Sequence, residues 1–407
     1  MLSRQRIIEN TEIFSIHNYD RLPLVAEKAQ GVWVYDVNGD KYMDLLGVYA
    51  ATSAGHNHPR IVSAMCEHLM RNGISSLSGG YYSAPYGEFV EVLAKFCRMD
   101  RVILKTGGGE AVEAAIKLAK RWGYRVKKIP GSAEIIGCEG NFHGRLPYAI
   151  ALSSEPKHRK DFWPFPPGTK RVPLNDPDTL GRIITPNTVA FVFEVVQGEG
   201  GVNFWEEGCL REIEKICRKN RVLMLDDEVQ AGLGRTGYDF AYQHEGIQPD
   251  MVIVAKALAA GMMPVSAVAA DNHIMDLIAP GDEGSTFGCH PLSCVVALEA
   301  FKIYREKKLA ERSSEMGNYF MTKLRDIRSP VIKEVRGRGL LIGIELVSGT
   351  KGAKHFRRRL FDQKIICETA GHDNKVIRFS PPLNITKNEI DLALSKIEYV
   401  FSKNLNE

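Results

Sequence analysis

Between about residues 100 and 270 the chain alternates short continuous apolar runs with longer stretches in which apolar residues recur every three or four positions. The runs cover 102–104, 135–138, 189–196, 222–225 and 251–255. A continuous run of this length fits a strand buried on both faces, whereas a period near 3.6 marks an amphipathic helix. The stretch 110–122 is of the second kind, with Ala111, Ala114, Ala115, Leu118, Ala119 and Trp122 on one face. Another helix is expected over about 208–220. Strands alternating with helices predict an α/β region built on a mainly parallel sheet with helices on both sides.

Beyond about residue 295 the texture changes. The pattern predicts helices over 294–306 and on to about 327, strands over 331–335 and 340–347, and a final helix over 387–404. Near the start, short strands are expected over 31–36 and 41–46, joined by a turn at Asn38-Gly39-Asp40. The expected division is an N-terminal segment, 1–48, packing with a smaller C-terminal α+β domain, 295–407, and a large α/β domain, 49–294.

A chain of 407 residues is long enough for two or three domains, and 44% apolar with 25% charged content excludes a disordered or fibrous protein. Its 53 basic and 49 acidic side chains leave a net charge of +4, with no long block of one sign. Only Arg357, Arg358 and Arg359 bunch together, and they read as a solvated helix face. Neither nucleic acid nor a membrane surface is therefore an expected partner. The longest weakly polar stretch, 255–270, is interrupted by Lys256, Gly261, Pro264 and Ser266, which argues against a bilayer span. Eight cysteines show no CxxC pair and no metal-ligand spacing, so no metal site is expected and a reducing compartment suits them. The opening Met1-Leu2-Ser3-Arg4-Gln5-Arg6 is basic, but Glu9 and Glu12 follow at once without an apolar stretch, and a cytoplasmic protein is expected.

In open α/β sheets ligands sit beyond the carboxyl ends of the strands, so the residues after each apolar run carry the chemistry. After 102–104 comes Lys105-Thr106-Gly107-Gly108-Gly109-Glu110 and then a helix. A glycine turn at a helix N-terminus suits a phosphate, though it also serves as a plain tight turn. After 222–225 comes Asp226-Asp227-Glu228. Three acids ending a buried strand need a metal ion or a protonated nitrogen as partner, unless they form a solvated turn. After 251–255 comes Lys256, flanked by apolar residues. Such an amine loses its proton readily and attacks aldehydes, although a strand-end lysine alone is often a surface cation. Taken together, an anion cradle, an acid and an amine at neighbouring strand ends are what pyridoxal phosphate requires.

The sequence also resembles the class III aminotransferases of fold type I, most closely their ornithine δ-aminotransferase branch, from about Asn18 to Tyr399. The matching blocks include Gly108-Gly109-Glu110-Ala111, Gly140-Asn141-Phe142-His143-Gly144-Arg145, Gln197-Gly198-Glu199-Gly200-Gly201-Val202 and Asp227-Glu228-Val229-Gln230. They continue through Gly234-Arg235-Thr236-Gly237, Lys256-Ala257-Leu258, Gly284-Ser285-Thr286-Phe287-Gly288 and Ile377-Arg378-Phe379-Ser380-Pro381-Pro382-Leu383. The resemblance implies that Lys256 is the Schiff-base lysine and proton carrier, and that Asp227 keeps the pyridine nitrogen protonated. Gly108 and Gly109 would hold the phosphate, Phe142 would stack on the ring with His143 beside it, and Gln230 would bond the ring hydroxyl. Ser285 and Thr286 would reach the phosphate of a neighbouring subunit, which implies a homodimer with active sites at the interface. Arg145 would bind the substrate carboxylate remote from the transferred amine, and Arg378 the α-carboxylate of glutamate. Glu199 would cover Arg378 while ornithine reacts, and Tyr49 and Tyr82 would surround ornithine's α-amino and α-carboxylate groups. The implied activity is transfer of the δ-amino group of L-ornithine to 2-oxoglutarate.

Several positions depart from the family pattern: Val195, Ala231, Cys289-His290, Gly79, and a segment 369–375 that is longer than usual. The nearest alternatives are a relative acting on acetylornithine, lysine, 4-aminobutyrate or a secondary-metabolite precursor, and a racemase on the same scaffold. A racemase has no need of a carboxylate-gated arginine. A dinucleotide-binding enzyme is weakly suggested by GxGxxG at 232–237, but those glycines do not follow directly on a strand. A nucleotide hydrolase lacks its GxxxxGK[ST] motif here.

Overall fold

A computed structural model describes residues 2–402. The apolar runs lie in one seven-stranded sheet, in the order Arg101–Lys105, Ser266–Ala270, Met251–Val254, Leu223–Asp227, Thr188–Phe193, Glu134–Cys138, Thr169–Val172. The last five are parallel to one another, and Ser266–Ala270 runs antiparallel to both its neighbours. Every residue of Thr188–Phe193 and Met251–Val254 is buried, as a strand covered on both faces requires. One face meets the helix Gly108–Trp122, whose Ala111, Ala114, Ala115 and Ala119 let its backbone approach Val192, Leu225 and Ile253. The other face, with Phe191, Phe193, Met224 and Val252, joins a core continuous with the C-terminal helices.

In this sheet two features depart from the pattern reading. The expected strand over 189–196 stops at Phe193, because Val196–Gln197 turns away to pair with Asn203–Phe204. The strands Thr169–Val172 and Ser266–Ala270 were not anticipated.

Residues from both ends of the chain share a second sheet, ordered Ala26–Gln30, Trp33–Asp36, Lys41–Asp44 and Ile365–Ile366. A third, antiparallel sheet holds Ile332–Arg338, Leu341–Leu346, Val376–Phe379 and Glu368–Ala370, and it carries Arg378. Helices Pro291–Glu306, Leu309–Asp326, Gly352–Asp362 and Lys387–Ser402 complete this region. The last two positions expected in the final helix, 403 and 404, lie outside the described residues. The arginine triplet corrects an expectation: Arg357 is turned inward with an 11% exposed side chain and meets Glu368 at 3.0 Å, so the triplet is not simply a solvated face. Among the described residues no helix is long and apolar enough to cross a membrane.

Candidate active site

The carboxyl ends of the parallel strands converge on a cavity of about 470 Å³ lined by the 106–109 turn, Phe142, His143, Glu194, Asp227 and Lys256. Gly107 caps the helix that begins at Gly108, with extended backbone and no side-chain cap of its own, and Glu110 accepts the Thr106 N–H at 2.9 Å. The end of the preceding strand is fixed by Lys105, which is 2% exposed and donates to Glu283 at 2.5 Å and to the Gly284 carbonyl at 2.8 Å.

Asp226, Asp227 and Glu228 are all buried, which removes the solvated-turn alternative. The Asp227 carboxylate takes Nδ1 of His143 at 2.7 Å and the Val229 N–H at 3.1 Å. His143 Nε2 faces the Asn141 side chain at 3.3 Å, and Gln197 donates to Asn141 Oδ1 at 2.8 Å. A relay of amides thus fixes the ring that orients Asp227. Glu194, which the sequence reading missed, accepts the Phe142 N–H at 2.7 Å. Burial, and then the charge of Asp227, push its carboxyl well above the ordinary range. Lys256 sits in left-handed backbone at φ 46°, separated from the end of its strand by Ala255 alone. Burial lowers its amine below the usual lysine value, outweighing the pull of Glu199 and Asp227.

A second cavity of about 600 Å³ shares Phe142 and Lys256 and adds Tyr49, Arg145, Glu199 and the turn at 369–374. Arg378 has no exposed surface, and its Nη1 meets Glu199 Oε1 at 2.6 Å and Gln230 Oε1 at 2.9 Å. Gln230 in turn donates to Glu199 at 3.2 Å. Burial alone would raise the Glu199 carboxyl, but Arg378 holds it below its ordinary value. The Arg378 Nε and Nη2 atoms have no hydrogen-bond partner. Tyr49, at φ 56°, presents its ring 5.7 Å from that guanidinium. Its hydroxyl is pushed up to about 12 by burial and by the charges of Glu368 and Glu199. Arg145 lies over the Phe142 ring at 5.4 Å and makes no ion pair among the described residues.

Lys256, Asp227, His143, Phe142, Gln230, Gly108, Gly109, Tyr49, Arg145 and Glu199 therefore border these two joined cavities, with Arg378 directly behind Glu199. Tyr82, Ser285 and Thr286 do not line either one. Tyr82 is fully exposed, and Ser285 lies beside Glu110 at the start of the glycine-turn helix.

The family described as aminotransferase class-III matches residues 14–401. The chain is similar to an ornithine aminotransferase of Brevibacillus brevis, with 45% identity over 395 residues, 97% of each chain. Among solved structures it resembles the ornithine aminotransferase of Toxoplasma gondii, described with partial occupancy of PLP at its active site, at 36% identity and a TM-score of 0.94, over 98% of this chain and 94% of that one. It also resembles an acetylornithine aminotransferase from Elizabethkingia anophelis, at 36% identity and a TM-score of 0.88, over 99% and 100% of the two chains. With strand-end acid, amine and glycine turn gathered at one edge of an α/β sheet, and a family match spanning nearly its whole length, the chain belongs to the class-III aminotransferases of fold type I.

Proposed function

We propose that the chain moves the δ-amino group of L-ornithine to 2-oxoglutarate, giving glutamate and glutamate 5-semialdehyde, which cyclises to pyrroline-5-carboxylate. The observation that carries this reading is the 2.6 Å pair between Glu199 and the fully buried Arg378. Glutamate brings a carboxylate beside the amine it gives up, and ornithine reacting through its δ-amine brings none. One pocket serves both only if its buried cation is covered for one substrate and uncovered for the other. The Glu199 carboxylate covers it by staying and uncovers it by swinging away. The relatives named for ornithine support the same substrate.

Pyridoxal phosphate is the cofactor, and the residues present fit it. The N–H groups at Gly108 and Gly109 suit its phosphate, the buried Asp227 suits a protonated ring nitrogen, and the Lys256 amine suits its aldehyde. When bound, this group supplies an electron sink next to the carbon that loses its proton. Lys256 Nζ, whose proton affinity burial lowers, would take the proton from that carbon and deliver it to the cofactor carbon on the other side of the shared nitrogen. Phe142 would stack on its ring and Gln230 would bond the ring hydroxyl, while His143 orients Asp227. Arg145, with no carboxylate partner among the described residues, binds the remote carboxylate of the substrate, and the protonated Tyr49 hydroxyl hydrogen-bonds beside it.

Tyr82, Ser285 and Thr286 complete the site of a second copy of the chain. The exposure of Tyr81, Tyr82 and Phe287, at 70%, 103% and 56%, supports such a homodimer. The sheet shared by Lys41–Asp44 and Ile365–Ile366 supports grouping 1–48 with 295–407 apart from 49–294. Eight free cysteines support the cytoplasm as its compartment.

The test is an absorbance spectrum of the cofactor-loaded protein before and after L-ornithine, with no keto acid present. The visible band should convert to the pyridoxamine form, with the product trapped by o-aminobenzaldehyde. A band that ornithine leaves unchanged while N-acetylornithine or 4-aminobutyrate discharges it overturns the substrate.

A further inference from the structure

The turn between strands Glu368–Ala370 and Val376–Phe379 contains the segment whose length departs from the family pattern. It is anchored on its own side by the Ala353 N–H on the Asn374 carbonyl at 3.1 Å and the Leu346 N–H on the Lys375 carbonyl at 2.8 Å. Two groups of this turn reach across to elements at the edge of the large sheet. The Gly371 N–H donates to the main-chain carbonyl of Glu199 at 2.8 Å. The His372 ring spans a second gap, with Nδ1 2.8 Å from Glu155 Oε2 and Nε2 2.9 Å from Ser154 Oγ. Ser154 Oγ also accepts the Gly140 N–H at 2.8 Å, just ahead of Asn141 and Phe142.

This chain of contacts closes on itself chemically. With the ring proton on Nδ1, Glu155 accepts from His372, Nε2 accepts the Ser154 hydroxyl proton, and the Ser154 oxygen accepts from Gly140. Glu155 is 8% exposed, so its carboxylate depends on such partners. Gly371, His372 and Asn374 line the second cavity together with Tyr49 and Arg145.

We infer that His372 is a positioning residue that latches this turn over the substrate cavity and thereby fixes the main chain of Glu199. The inference rests on reading Glu199 and Arg378 as the gate. With the Glu199 carbonyl held by Gly371, a change of partner at Arg378 moves only the Glu199 side chain. Without the latch, the turn at Gly198–Gly201 moves with its carboxylate, and Arg378 stands uncovered for more of the time. A substrate whose carboxylate sits beside its reacting amine, as in glutamate, then gains at the expense of ornithine reacting through its δ-amine.

The test compares the cofactor-loaded wild type with His372→Ala and His372→Asn, whose amide N–H replaces that of Nδ1 toward Glu155. Hydrogen exchange of the segment 196–204 should accelerate about tenfold in His372→Ala. The ratio of the ornithine to the glutamate half-reaction rate constants should fall by about tenfold as well. His372→Asn should restore both. Unchanged exchange in His372→Ala, or equal losses in the two half-reactions, overturns the latch. A wild-type protein that ignores ornithine sinks the substrate reading instead, and the exchange comparison still decides the latch.

Discussion

A Cβ placed on Gly198 would lie 1.7 Å from the amide oxygen of Gln230 and 2.6 Å from its Cδ. The amide end of Gln230 would have to leave, and with it the bonds it makes to Glu199 and Arg378. Gly198→Ala should therefore cost about 1–3 kcal/mol of stability and slow both half-reactions. Chemical denaturation and single-turnover kinetics would measure this, and a variant as stable as the wild type would show that Gln230 has another place to go.

Arg378 is the charge that cannot be left alone. Its Nε and Nη2 already lack partners, so removing Glu199 strands a buried guanidinium. Glu199→Ala should destabilise the fold by about 3–5 kcal/mol. Arg378→Ala should harm the glutamate half-reaction more than the ornithine one. Equal losses in pre-steady-state measurements of the two would refute the gate.

Lys256→Ala removes the amine to which the proposed function gives the proton transfer and the cofactor anchor. Turnover should fall by at least about 10²–10⁴-fold, the range for loss of a positioned acid–base group. Steady-state assays with excess pyridoxal phosphate check it, and an ordinary rate would remove Lys256 from the chemistry.

A pH dependence of stability follows from the acids beside Asp227. Burial pushes Glu228 up to about 7, even though the Tyr242 N–H supports its charged form at 3.0 Å. A folded carboxyl with a raised pKa holds its proton after the unfolded chain has lost it. Its contribution is therefore complete below the unfolded value, about 4.3, and is lost as pH rises toward 7. One such proton changes stability by up to about 1.4 kcal/mol per pH unit. Urea titrations between those limits should show stability falling with pH, and Glu228→Gln should flatten the slope. An unaltered slope in that variant would assign the proton to Asp226.

What could be read before folding depended on where apolar runs end. Lys256, Asp227 and the glycine turn stand out because each follows a continuous run that stops close to the strand end. Glu194 does the same at the end of Thr188–Phe193, yet Val195 and Val196 prolong the apolar pattern past it and hide the end. Ser266–Ala270 escaped notice because serine and alanine carry little strand preference. Its narrow side chains suit the alanine face of the helix across from it, a tertiary reason that no local window contains. Arg357 looked like a surface cation because its partners lie beyond its own helix, Asp20 337 positions back and Glu368 on a strand that follows. Tyr82 is fully exposed and lines neither cavity, so the role implied for it is not displayed within a single chain.

The lone antiparallel strand has a consequence for what length of ligand this edge accepts. Ser266 pairs with Lys105 on one side, and its hydroxyl donates to the Gly107 carbonyl at 2.9 Å, while the same strand is laddered to Met251–Val254 on the other. The amine after one strand and the anion turn after the other are thus held two strand spacings apart, roughly 10 Å. That interval is a ruler made of main-chain hydrogen bonds, beyond the reach of any side-chain replacement. Variation in the pocket can change what is recognised at its rim, while the span between anchor and anion stays as the sheet sets it.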